Sequence, residues 1–304
     1  ANLSKNVTAH SSSLTGGRTG CGLVFLRGEN CVDECPHERG RYDLAMSCVF
    51  CGGAPVTKEH IFPQWLNKYL PPGRQQTEQA RYGEGAYDTT RQSMGLDFTV
   101  KKVCAPCNNG WMSQMEDASE GVLAPLITGQ DLGLGLISLR QQRQIALWAT
   151  KTAMMADQFQ HKPLLPPHQL RRMHTHRAIP GETRVWIGAC PQREPLVTSH
   201  TVRVPLTGVA APGDPEPVGF YCPMKIGQLC IYVYFPAADV VIQHGREFHM
   251  SVARIWPRRS SDLPFPPPLQ PRDGEAFEQF ADALQESLYL YTPEQAAEHQ
   301  LQES

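Results

Sequence analysis

A chain of 304 residues with 41% hydrophobic content is long enough to bury a full core and to divide into two domains. No apolar run approaches the length of about 18 residues that spans a bilayer, and Gly20–Leu26 is too short and poorly flanked for a secretory signal, so a cytoplasmic protein without a membrane partner is expected. The net charge of −2 conceals a basic middle: nine Lys or Arg against two acids between Arg140 and Arg193, where a polyanion could bind, although scattered arginines also solubilise helical surfaces.

Residues 1–45 are rich in Ser, Thr, Gly and Arg and lack hydrophobic periodicity, which predicts a disordered leader. The first methionine is Met46, and the native protein is expected to start there. Cys31, Cys35 and His37 are too loosely spaced for a metal site and read as incidental. Cys48-Val-Phe-Cys51 then forms a knuckle, with Gly52-Gly53 letting the backbone turn. Val56–Ile61 reads as a strand, and Pro63 as the first turn of a helix that Pro71-Pro72-Gly73 stops. Residues 74–95 are polar and glycine-bearing, an insertion with little core potential. Phe98–Val103 is a returning strand, followed by Cys104-Ala-Pro-Cys107 and a helix over Asn108–Gly121 that Asn108 or Asn109 would cap.

Leu139–Phe159 is the longest periodic segment, an amphipathic core helix with Ile145, Trp148, Thr152, Met155 and Phe159 on one stripe. A shorter basic helix covers His168–Arg177. From Thr183 the pattern changes to short β-branched and aromatic runs separated by turn residues, which predicts an antiparallel sheet. Cys190, Cys222 and Cys230 fall in or beside these runs, where free cysteine behaves as a small apolar residue. Pro264–Pro271 reads as a linker and Glu275–Tyr291 as an acidic amphipathic helix. The expected organisation is a leader (1–45), a knuckle-bearing module (46–121), a helical basic region (122–182), a β region (183–256) and an acidic C-terminal segment (257–304).

The chemistry concentrates around the paired cysteines. Each Cys-x-x-Cys turns two thiolates toward one point, so Cys48, Cys51, Cys104 and Cys107 together fill the four tetrahedral positions of a structural Zn2+. A thioredoxin-like redox role fits less well, because that chemistry needs a single pair on a βα unit. Between the pairs lies Glu59-His60. Adjacent carboxylates and imidazoles are common on surfaces, but this pair follows one knuckle by eight residues and is matched by asparagine directly after the other.

These residues resemble the His-Asn-His (HNH) endonucleases, the ββα-metal nucleases in their zinc-stapled form, over residues 48 to 116. The wording after Cys107, Asn-Asn-Gly-Trp-Met-Ser, followed downstream by Ala146-Leu-Trp-Ala-Thr-Lys-Thr-Ala, is also similar to a bacterial nuclease-like group. The resemblance implies a general-base role for His60, with Glu59 and Asn108 as oxygen ligands of a catalytic Mg2+ or Mn2+ and Asn109 and Glu116 in reserve. The middle asparagine that steadies the histidine-bearing segment in that family is missing here, and Thr99 or Asp97 stands nearby.

The expected fold is therefore α+β: a ββα-metal zinc-knuckle module followed by a helical segment and an antiparallel β-rich C-terminal region. The expected function is metal-dependent hydrolysis of phosphodiester bonds in nucleic acid, with DNA the favoured substrate and Arg171, Arg172 and Arg177 contacting phosphates. The alternative is a zinc-stabilised nucleic-acid or protein binding module without catalysis.

Overall fold

The computed structural model describes residues 47–54, 56–70, 75–79, 89–93, 96–129, 135–160, 163–190, 197–199, 202–205, 218–236, 241–244, 251–257, 261–267, 288–291 and 297, all within the compact unit Tyr42–Ser304. The predicted leader, with Cys31, Cys35 and His37, lies outside the described residues. The elements in chain order are β1 (Val56–His60), a 3-10 turn (Gln64–Lys68), β2 (Gln75–Gln79), β3 (Thr89–Ser93), β4 (Thr99–Cys104), a π turn (Cys107–Met112), α1 (Ser113–Thr128), β5 (Leu136–Ile137), α2 (Leu139–Gln158) and α3 (Pro167–His176). They continue with β6 (Arg184–Ala189), β7 (Val197–Ser199), β8 (Val202–Pro205), β9 (Val218–Ile226), β10 (Leu229–Phe235), β11 (Val241–His244), β12 (Val252–Trp256), β13 (Leu263–Pro264) and β14 (Leu288–Tyr291). Mixed helix and antiparallel sheet make this an α+β protein. Among the described residues no helix is long and apolar enough to cross a membrane.

The main sheet has the order β12-β6-β10-β9-β7-β2-β3, with β8 also paired to β9. Its centre is the β9–β10 hairpin, turned at Gly227-Gln228, and β10 is buried along its whole length. Every pairing in the sheet is antiparallel except that of β2 with β7. Residues 74–95, expected to be an insertion, supply β2 and β3: the polar run Gln75–Gln79 adds to the sheet through backbone hydrogen bonds, which need no apolar side chain. Two C-terminal expectations also change. Leu288–Tyr291 is a strand paired with β11 rather than the end of an acidic helix, the alternation Leu-Tyr-Leu-Tyr suiting a strand, and residues 275–287 lie outside the described residues. Leu263–Pro264, at the start of the supposed linker, pairs with β5.

α2 is the spine between the sheet and the cysteine-bearing segment. It starts at a capping box, with Ser138 Oγ accepting from Gln141 N–H and the Gln141 side chain accepting from Ser138 N–H at 2.8 Å. One side packs on β6, β10 and β12 and another on α1 and β4, so every residue from Trp148 to Gln158 is buried rather than one stripe alone. α1 ends against the β9–β10 turn, where Gln228 N–H donates to Ile127 O at 2.9 Å. The approach needs glycine: Gly227 has φ +57°, and a Cβ there would lie 2.3 Å from Ile127 O. The segment carrying the cysteines is thereby fixed to the sheet through α1 and α2.

Candidate functional site

β1 and β4 form a separate antiparallel pair that places Val56 opposite Cys104 and His60 opposite Thr99. The first cysteine pair is folded onto this hairpin: Val49 N–H donates to Lys102 O at 2.9 Å and Cys48 N–H to Gly53 O at 2.7 Å, while Gly52 takes φ +77° to complete the turn. Phe50 packs edge-on against Trp111, linking the first knuckle to the turn after the second.

This scaffold brings Cys48, Cys51, Cys104 and Cys107 together with all four Sγ atoms within 4.8 Å of one another. A tetrahedral zinc with Zn–S bonds of about 2.3 Å separates its sulfurs by about 3.8 Å, so the set fits that ion. Gly53 N–H donates to Cys51 Sγ at 3.3 Å. At Cys48, burial works against the thiolate but backbone hydrogen bonds from Cys104, Cys51 and Phe50 outweigh it and hold the pKa below the ordinary thiol value. Three of the four cysteines are buried and all four positions are protein sulfurs, the closed arrangement of a structural site.

Glu59 and His60 lie at the far end of β1. Glu59 is 5% exposed and turns inward, with Lys151 Nζ of α2 at 3.9 Å from its carboxylate. Lys151 is wholly buried and also bonds Glu116 of α1. Burial pushes the Glu59 pKa up to about 7, with Lys151 opposing the rise and Glu116 adding to it. His60 is half-buried and meets the Gln64 side-chain amide through Nε2 at 3.2 Å. Burial and Lys58 hold its pKa below the usual imidazole value against the opposite pull of Asp97 and Glu116. The ring is therefore neutral at pH 7, the form that accepts a proton.

Asn108 does not cap a helix. The chain enters α1 through a π turn broken at Gly110 (φ −98°, ψ −109°), and no side chain caps α1. The Asn108 amide instead reaches back to β1, donating to Thr57 Oγ1 at 3.3 Å and to Lys58 O at 3.2 Å. Its Oδ1 accepts no hydrogen bond among the described residues. Asn109, the next residue, is exposed. Glu116, named from sequence as a reserve ligand, lies within electrostatic reach of both Glu59 and His60.

The basic residues separate. Arg171 and Arg172 are exposed on α3, whereas Arg177, just past its end, sits over the Trp111 ring with Cζ 4.6 Å from the centroid. Arg177 lines a cleft between α1 and α2 together with Arg140 and Arg143. Sequence reading missed Lys151 and this cleft. The signal for Lys151 was its phase: it falls three residues after Trp148 and four before Met155, a charge on the apolar stripe of α2. Comparison of the chain with family models, with curated proteins and with solved structures finds no match.

Proposed function

We propose that the protein is a metal-dependent endonuclease that hydrolyses phosphodiester bonds, built on a ββα-metal unit formed by β1, β4 and α1 and stapled by zinc at the four cysteines. The observation that carries this reading is the position of a neutral, half-buried His60 at the end of β1, beside Glu59 and across from the asparagine that follows the last cysteine. Hydrolysis needs a base for the attacking water, and His60 can take that proton. A divalent ion at this site supplies neutralisation of the phosphate oxygens and help for the leaving oxygen. Glu59 and the Oδ1 of Asn108 are the oxygen donors of this chain that would hold it, and magnesium needs only one or two such ligands. Glu116 is a further carboxylate, and its charge acts on both residues. Asn108 also anchors β1 through Lys58 O, which is the steadying task that the resemblance assigns to the missing middle asparagine.

The binding-module alternative rests on one specific feature: Lys151 already neutralises Glu59 and Glu116 from within the fold. The two readings separate on incubation of purified, zinc-loaded protein with plasmid, single-stranded DNA and RNA in magnesium or manganese. The nuclease cuts, and His60→Ala abolishes cutting while zinc content and melting temperature stay at the parental values. A parent that binds nucleic acid but never cuts it establishes the binding module. Loss of zinc on His60→Ala makes the histidine structural and removes the proposal.

A further inference from the structure

The cleft between α1 and α2 has a volume of about 450 Å³ and plays no part in the reading of Glu59 and His60. The two helices run antiparallel, as the contacts Glu116–Lys151 and Ala118–Gln144 show. Met115 and Ala118 of α1 and Leu147 of α2 give the cleft apolar walls, and Trp111 closes one end. Three guanidinium groups, from Arg140, Arg143 and Arg177, surround this apolar surface, and no acidic residue lines it. Among the described residues none of the three arginines has a carboxylate within 4.0 Å. Three unneutralised positive charges around an apolar slot suit an amphipathic anion.

Arg177 carries the argument further. It is the only non-glycine residue at positive φ among the described residues, at +49°, a conformation in which glycine or asparagine is the usual occupant. That backbone turns its side chain back onto the Trp111 face and lets the guanidinium donate to His174 O. The Trp111 face and the His174 carbonyl hold the guanidinium in place in advance, so little rotamer freedom is lost when it meets a phosphate. This left-handed conformation is the C-cap of α3, with Arg177 N–H donating to Met173 O at 2.9 Å, so the end of the helix fixes where the guanidinium stands at the cleft.

We propose that this cleft binds one nucleotide, with its base against Met115, Ala118 and Leu147 and its phosphate held by Arg140, Arg143 and Arg177. The flat aromatic face of a base fits apolar walls that the carboxylates of an acidic peptide do not need, and the exposed amide of Gln114 can pair with a base edge. A volume of this size takes a single nucleotide rather than the width of a duplex. The nucleotide is either free or part of a single strand, and the two share this chemistry. Binding here is independent of hydrolysis at His60.

The test is fluorescence anisotropy of a labelled single-stranded oligonucleotide, without added divalent ion and with structural zinc retained. Arg140→Gln/Arg143→Gln and Arg177→Gln are each expected to weaken binding tenfold or more, with the salt slope falling by about 0.7 for each phosphate that is no longer neutralised. His60→Ala is expected to bind as the parent does. Competition by a nucleoside monophosphate assigns the cleft to free nucleotides, and competition by unlabelled strand alone assigns it to nucleic acid. Arg140 and Arg143 are exposed, so their double variant carries the test if Arg177→Gln misfolds; Arg177→Lys, which keeps the charge and loses the planar stack, is expected to bind at an intermediate level. Unchanged affinity in the double variant overturns the proposal, as does equal competition by a polyglutamate peptide.

Discussion

The seven described cysteines fall into two groups, and the contrast separates two ways of stabilising a fold. Cys190, Cys222 and Cys230 are wholly buried in or beside β6, β9 and β10, where burial pushes the thiols of Cys222 and Cys230 far above their ordinary pKa. They behave there as small apolar groups in a sheet whose centre is already closed by Ile187, Met224, Ile231 and Val233. Cys48, Cys51, Cys104 and Cys107 instead converge at the edge of a two-stranded pair, with Cys51 exposed. Two strands alone are marginal in water; this pair shares the core with α1 and α2, and ligation at its thiolates is expected to add to that burial. Burial stabilises the sheet, whereas the hairpin also carries a four-sulfur cluster that fits a zinc ion.

The sharpest way to break this contrast is to mutate one cysteine of each kind. Cys104→Ser is expected to release zinc and unfold β1, β4 and the following turn, because structural zinc contributes an apparent binding energy of roughly 10–16 kcal/mol to the folding of small modules. Cys222→Ala should cost about 1–3 kcal/mol, the loss of one buried sulfur, and leave zinc content unchanged. Zinc stoichiometry and urea unfolding measured on the same samples check both. Equal, modest losses with zinc retained would remove the distinction between the two regions.

A second perturbation falls where the regions join. Lys151 is the charged group that α2 carries from the sheet side to the cysteine-bearing side, and it lies between Glu59 and Glu116 without exposure to water. Lys151→Met fills a similar volume but removes the cation beside both carboxylates: Glu59, already raised to about 7, is driven to its protonated form, Glu116 loses its partner, and a loss of about 3–5 kcal/mol is expected. Adding Glu116→Gln should recover a substantial part of it, since the unpaired charge is then gone. A Lys151→Met protein as stable as the parent would mean that the carboxylates are solvated and that the cluster contributes nothing to the join.

What the sequence revealed follows the same division. The cluster of four cysteines was legible because two Cys-x-x-Cys pairs have the local spacing that a tetrahedral ion imposes, and α2 because its apolar residues recur at helical period over twenty residues with Ser138 and Gln141 at the start. The strands between Arg184 and Trp256 were legible from alternation, whereas β13 and β14 lay in stretches read as a linker and a helix. β2 and β3 were not legible, because a polar run such as Gln75–Gln79 carries no apolar alternation to read. Neither was the role of the Asn108 amide, whose partners Thr57 and Lys58 are about fifty residues away in the chain. The arginine cleft was half visible: Arg177 stands out in the basic run, but Arg140 and Arg143 join it only because α1 and α2 pack antiparallel. Lys151 reads as one of nine scattered cations, although its phase on α2 sets it apart.

The smallest effect expected around the Lys151 cluster concerns the proton on Glu59. Burial raises its pKa from 4.5 to about 7 despite Lys151, so the native state holds this proton more tightly than the unfolded chain does. As pH rises from about 4.5, the unfolded chain ionises first, and the native state loses stability until its own carboxyl ionises near 7, after which the difference is constant. Below 4.5 the group contributes nothing. The whole change amounts to about 3 kcal/mol, lowered in practice by Lys151 adjusting its contacts with Glu116. Glu59→Gln cannot ionise, so its stability relative to the parent should climb between pH 5 and 7.5 and then level off, as read by urea unfolding of zinc-saturated protein at each pH. Lys151 and Glu116 are present in both proteins and cancel in the difference. Parallel profiles would show that Glu59 ionises natively at its ordinary pKa and is not held in a dry site. Added magnesium sharpens the result: if Glu59 is an ion ligand, the metal lowers its pKa and restores parental stability at pH 8, while Glu59→Gln is unaffected. Equal responses of the two proteins would detach Glu59 from the metal site and leave its carboxyl as a partner of Lys151 alone.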